Sequence, residues 1–158
     1  MNEAEARRRL VAARVGRLAT VTAHGSPHLV PVVFATVDDV LYTAVDSKPK
    51  TTLALKRLAN IDATGRASLL VDEYSEDWST LWWVRVDGTA RVLDVDGGER
   101  QRPSRRLAGP ESAHPEARDT AVEALTHKYP QYVSNPPTGP VIAIRLARWR
   151  WWEATPHP

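Results

Sequence analysis

The chain has 158 residues, is 42% hydrophobic and 25% charged, and carries a formal net charge of +2; this is the balance of one soluble globular domain, 1–158, and gives no reason to expect a nucleic-acid partner. It holds no cysteine, which excludes disulfides, thiolate chemistry and cysteine-ligated metals. No run approaches 18 apolar residues and the charged start Asn2–Glu5 leads into no apolar segment, so neither a membrane span nor a signal peptide is expected, and a cytoplasmic location is.

In chain order, Asn2 caps a helix expected to run to about Arg14, stopped by Gly16. Residues 17–22 read as a strand and 23–27 as a turn. The β-rich run His28–Val37 contains Pro31, which implies a sheet edge or a bulge. Asp38-Asp39 turns it tightly into a third strand, Val40–Val45. Asp46–Lys50 is a turn and Thr51–Ala59 a helix with Leu53, Leu55 and Leu58 on its apolar side. Ala67–Asp72 is a strand. Thr80–Val95 is long and β-like, with a bend or hairpin at Asp87-Gly88. Residues 97–110 form a variable helix or loop, and Pro115 starts a helix to about Lys128. Tyr129–Gly139, with three prolines, is irregular, and Val141–Leu146 is the last strand before a Trp-rich tail. Strands are not separated one by one by helices, so the pattern predicts a mainly β fold, an antiparallel barrel with flanking helices.

Charge is unevenly spread: residues 1–60 hold nine Lys/Arg against five acids, and residues 72–99 hold eight acids against Arg85 and Arg91. A basic first third suits an anionic ligand, or is simply solvated helix surface. Its focus is the turn after the third strand, where Lys48, Pro49, Lys50 and Thr51 meet a helix start. Free helix N–H groups, two ammonium groups and a hydroxyl there make a candidate phosphate site. Neither common glycine-rich nucleotide cradle occurs. Six tryptophans against one phenylalanine suggest a flat-ring site or a large aromatic interface. Arg7, Arg8 and Arg9 read as a solvated helix face or as contacts to an acidic tail. The five histidines show no metal spacing. Asp72-Glu73 and Glu76-Asp77 read as a solvated loop rather than a catalytic pair. Tyr42 and His28 are weighed as proton donors and neither is chosen.

The runs Gly16–Thr22 and Gly25–Phe34 resemble the opening of the pyridoxamine-phosphate-oxidase-like split-barrel flavoproteins. Leu41–Thr51 is similar to that family's phosphate-binding segment, and Arg66–Asp72 and Trp82–Val92 follow in its order. Lys48-Pro49-Lys50, Glu76–Ser79 and Leu81–Arg85 resemble its actinobacterial branch that uses coenzyme F-420, a deazaflavin. The resemblance covers about residues 10–95, with 139–152 as the closing strand. It implies an FMN-binding-like split barrel that forms a homodimer with two cofactor sites at the interface. It further implies an oxidoreductase passing hydride from reduced F-420 to an unsaturated small molecule. The alternatives are FMN in the same barrel, or a non-catalytic module for a cofactor or a haem-like ring. The resemblance puts Pro31, Val32 and Val33 against the ring, Thr43, Lys48, Pro49, Lys50 and Thr51 near the phosphate, and Trp82 and Trp83 in the segment that reaches the cofactor, in some relatives from the other subunit. Alternation along a strand lets only one of the two tryptophans face it.

Overall fold

The structure is a computed structural model that describes residues 1–45, 52–95 and 116–155, with side chains of the second and third helices from 56 and 118 onward. Helix α1 (Glu3–Ala12) starts where Asn2 accepts the Glu5 N–H at 2.9 Å. Strands β1 (Gly16–Val21) and β2 (Pro27–Val32) form a hairpin, and β3 (Ala35–Val37) and β4 (Val40–Ala44) a second, tighter one through Asp38 at φ 51°. Helix α2 (Thr52–Thr64) runs a turn beyond its expected end and stops at Gly65, which takes φ 61° and donates back to Ile61 O. Glycine carries that left-handed cap at no steric cost. Strand β5 (Arg66–Glu73), a short 3-10 turn (Trp78–Thr80) and strand β6 (Trp82–Leu93) follow. Helix α3 (Glu116–Lys128) and strand β7 (Val141–Glu153) complete the chain.

The seven strands make one antiparallel sheet in the order β2-β1-β5-β6-β7-β4-β3. It is not closed, because β2 and β3 are its two edges. Pro31 therefore sits on an edge strand, where its missing N–H costs no ladder bond. Residues from both ends of the strand order (Val32 and Phe34, Leu41, Ile142, Val86) nevertheless share one core, so the sheet must be strongly curved. Leu58 and Ile61 of α2 and Ala6 and Leu10 of α1 fill that core. A second core, on the other face of β3, β4 and β7, receives Ala121, Leu125 and Tyr129 from α3. Tyr129 seals this seam: its hydroxyl donates to Phe34 O at 2.7 Å and accepts from Phe34 N at 3.0 Å. Beside it the Lys128 ammonium lies 4.2 Å from the Phe34 ring centre, and burial pulls its pKa down to about 8.

The run His28–Val37, expected as one strand of a three-strand meander, forms two strands, β2 and β3, at opposite edges of the sheet. Two further sequence expectations are corrected. Asp87-Gly88 is no hairpin: β6 runs straight through it as one twelve-residue strand. The final strand does not end at Leu146 but absorbs the Trp-rich tail to Glu153. Both have one cause, a bulge. Asp87 pairs with Arg148 and Gly88 with Leu146, which leaves Ala147 as an extra residue on β7. Ile142, Ile144 and Leu146 point into the core before it, and Trp149 and Trp151 after it. One inserted residue has exchanged the faces of the strand. Gly88 lies against this point, where a Cβ would stand 2.2 Å from Arg145 O.

Candidate functional site

The sheet's inward face is closed around the tryptophans. Trp82, Trp149 and Trp151 pack on the main core. Helix α1 covers them: the Arg9 guanidinium stacks 4.9 Å from the Trp82 ring centre and that of Arg7 4.5 Å from Trp149. Trp151 Nε1 donates to Met1 O at 3.1 Å. Arg9 also binds Glu153 at 2.6 Å and Glu5 at 2.8 Å, and Arg7 binds Asp39 at 2.8 Å. Hydrogen bonds from the terminal ammonium and Arg9 hold the Glu153 carboxyl below the usual carboxylate range. The basic run is thus mostly an internal clamp, with Arg8, paired to Glu5, its exposed member.

The outward face of β2, β1, β5 and β6 is different. Strand alternation brings Leu29, Arg17, Ala19, Ser68, Leu70, Asp72, Trp83 and Arg85 to one side, where with Tyr74 they line an open groove of about 620 Å³. Pro31, opposite Arg17 across the β1–β2 ladder, borders it. Its apolar floor is interrupted by two anchored cations. Arg17 pairs with Asp72 at 3.0 Å and Arg85 with Asp87 at 3.2 Å, and Ser68 donates to Asp87 at 2.7 Å. Leu29 and Tyr74 are each 65% exposed, an unusual state for large apolar groups on a packed sheet. The size is that of a small-molecule site, and the lining (one indole, one phenol, three aliphatic groups, one hydroxyl, and two guanidinium groups each paired with a carboxylate) suits a flat molecule with polar substituents. At the rim, Asp77 caps the 3-10 turn by accepting from Ser79 N and Oγ, bonds that lower its pKa. Asp72 is tied to Arg17 and Asp77 to Ser79, so these two acids are held by local partners.

The structure separates the sequence-predicted residues. Pro31 and Trp83 lie on the outward face. Trp82 lies on the inward face, as alternation requires. Val32 points into the main core and Val33 packs beside the second, so neither side chain reaches the groove. Thr43 is buried opposite Ile142. Trp83 pairs with Trp152, ten residues further along β7 and so roughly 33 Å away along the strand. Lys48, Pro49, Lys50 and Thr51 lie outside the described residues. Of the two proton-donor candidates, Tyr42 is buried against α3, which raises its pKa, and His28 is buried on the inward face. Sequence reasoning missed Arg17, Leu29, Ser68, Leu70, Tyr74 and Arg85; the period-two spacing of 17/19, 68/70/72 and 83/85 was the signal that groups most of them.

A family model described as pyridoxamine 5'-phosphate oxidase matches residues 3–152. A 5a,11a-dehydrotetracycline/5a,11a-dehydrooxytetracycline reductase of Streptomyces rimosus subsp. rimosus is 34% identical over 87 residues, covering 54% of this chain and 60% of that one. The chain thus matches only about three fifths of that relative's length. Among solved structures, the conserved hypothetical protein Rv2991 of Mycobacterium tuberculosis superposes with a TM-score of 0.67 at 22% identity, over 97% of this chain and 85% of that one. A FAD-binding protein of Mesorhizobium loti superposes at 0.63 and 24% identity, over 96% and 94%. The two superpositions show a shared fold, and with the family match spanning nearly the whole chain, the protein belongs to the pyridoxamine 5'-phosphate oxidase family.

Proposed function

We propose that the protein is an oxidoreductase that binds reduced coenzyme F-420 and delivers hydride to an unsaturated small molecule. The observation that carries this reading is the outward groove, an apolar shelf of Trp83, Leu70 and Leu29 flanked by Arg17 and Arg85. When bound, the deazaflavin supplies the hydride; the chain supplies position and dryness. Trp83 would stack on the ring system or its substrate, and Arg17 and Arg85 would donate to polar substituents. Lys48, Lys50 and Thr51 would hold the phosphate. The Streptomyces relative, by its name a reductase of a dehydro compound, supports this reaction class. FMN is the second reading, favoured by the similarity to a FAD-binding protein.

Thr43 of β4 and Trp83 of β6 pair with opposite ends of β7. Where Lys48–Thr51, next in sequence after β4, hold the phosphate, a Trp83 that reaches the same cofactor comes from a second copy of the chain, and the proposed assembly is a homodimer with shared sites.

Titration of the purified protein with F-420, FMN and haem, followed by tryptophan quenching, tests the reading. F-420 is expected to bind below about 100 μM, and Lys50→Ala to weaken it by about 1.5–3 kcal/mol, the range for a charged hydrogen bond. Mixing Lys50→Ala with Trp83→Ala chains should restore binding at one site per mixed dimer. If neither flavin nor deazaflavin binds, the oxidoreductase reading fails; if they bind but mixing restores nothing, each copy holds its own site.

A further inference from the structure

A second feature lies under α2, away from the groove. His28 on β2 is only 9% exposed and pairs across the ladder with Thr20 of β1, itself 5% exposed. Asn60 of α2, 4% exposed, donates one amide N–H to Thr20 Oγ1 at 3.0 Å and so ties α2 to β1 beside His28. Neither His28 Nδ1 nor Nε2 has a hydrogen-bond partner among the described residues. A neutral imidazole tolerates this as one unmet donor and one unmet acceptor. A protonated one becomes two unmet donors carrying a full charge, which is far costlier in a buried position. The surrounding charges make it worse. Lys56 and Arg57, one turn before Asn60, both act on the ring with like charge, after the burial itself. The other charged groups on the packed elements are Asp62 further along α2, and Arg17 of β1, which is on the opposite face and tied to Asp72. His24 sits in the exposed hairpin turn.

We propose that His28 is an acid-sensitive latch: a proton on its imidazole loosens α2 from the β1–β2 hairpin. Charged, the ring has no acceptor among the described residues, and it reaches water most readily if α2 lifts. Leu58 and Ile61, buried in the main core on the same helix, limit this to a local opening. The direction follows from linkage. The His28 pKa is lowered in the folded state, so the opened form takes up the proton first. The closed form is favoured above the ordinary histidine pKa of about 6.5 and loses ground as pH falls below it. One proton changes the opening equilibrium by at most about tenfold per pH unit.

Amide hydrogen exchange of the full chain between pH 7.5 and 5, corrected for intrinsic rates, is the test. Protection of the Leu58–Thr64 amides should fall by up to about tenfold per unit below pH 6.5, while α3 and the β6–β7 ladder hold theirs. His28→Leu should remove the pH dependence. His28→Gln, a neutral polar side chain of similar reach, should remove it as well and covers the case in which the leucine variant does not fold. In the wild-type chain the His28 ring protons should titrate below 6.5 by NMR. A titration at or above 6.5, or an undiminished acid loss of α2 protection in His28→Gln, would overturn the proposal.

Discussion

Strands β6 and β7 present two faces built from alternate residues of the same few turns of chain. Inward, Trp82 and Trp149 meet α1 through a stacked arginine, and Trp151 donates to the Met1 carbonyl just before it. Outward, Trp83 and Trp152 stand side by side across the ladder, Trp152 44% exposed, with no helix over them among the described residues. The residue types are nearly the same, so hydrophobicity does not decide which tryptophans are structural. The pleat, together with one bulge, decides it. A face whose aromatic groups already have partners stabilises the monomer. One whose aromatic groups lack them is left for a ligand or a second chain.

The sharpest way to break this division is to disturb the bulge. Gly88→Ala would force a methyl group to within 2.2 Å of Arg145 O, a backbone atom that cannot swing aside. Relief requires moving β7, whose register assigns Trp149 and Trp151 to the core. A loss of about 2–4 kcal/mol in urea unfolding is expected, of the order of severe overpacking. A loss below about 1 kcal/mol would mean that the bulge can migrate and does not fix the faces. Next in size, Trp82→Ala and Trp83→Ala compare the faces directly. Trp82→Ala removes an indole from the core edge and strands Arg9, and is expected to cost about 2–3 kcal/mol, below the range for full burial because Trp82 is half-buried. Trp83→Ala should cost under about 1 kcal/mol at protein concentrations low enough to keep the chain monomeric, yet impair cofactor binding. Equal losses of stability would erase the distinction.

What the sequence made legible follows from where its signals are local. Asn2, Asp38 and the helix around Leu58 act through neighbours a few residues away, and the structure places helix, turn and helix there, although the second helix continues past Ala59 to Thr64. The ordered motifs from Gly16 to Val92 carried the fold. The bulge at Ala147 was not legible, because nothing in Arg145-Leu146-Ala147-Arg148 distinguishes an inserted residue from a paired one; only the partner strand does. The same limit hid the groove. Arg17, Ser68 and Arg85 are unremarkable on their own strands and become a site only when three strands lie side by side. Lys48–Thr51 stood out by charge, whereas Trp83 stood out only as half of a pair whose two members serve opposite faces.

The smallest effect is expected where the inward clamp reaches water. Glu153 accepts hydrogen bonds from the Met1 ammonium at 2.7 Å and Arg9 at 2.6 Å, but its side chain is 34% exposed. Such half-exposed pairs are typically worth under about 1 kcal/mol, so Glu153→Gln should lower stability at pH 7 by no more than that. The sign with pH is fixed by the lowered pKa. The carboxylate's contribution is present above the ordinary value of about 4.3 and disappears as pH falls through the folded one. Wild type and Glu153→Gln should therefore differ in urea midpoint at pH 7, and the gap should narrow as pH falls below about 4.3. A gap that does not narrow with falling pH would mean that Glu153 holds α1 by packing and not by charge. Cofactor titration of the same variant should be unchanged. The clamp and the groove share β6 and β7 but not their bonding partners, and substitutions more than about 7–10 Å apart with no shared partner act independently.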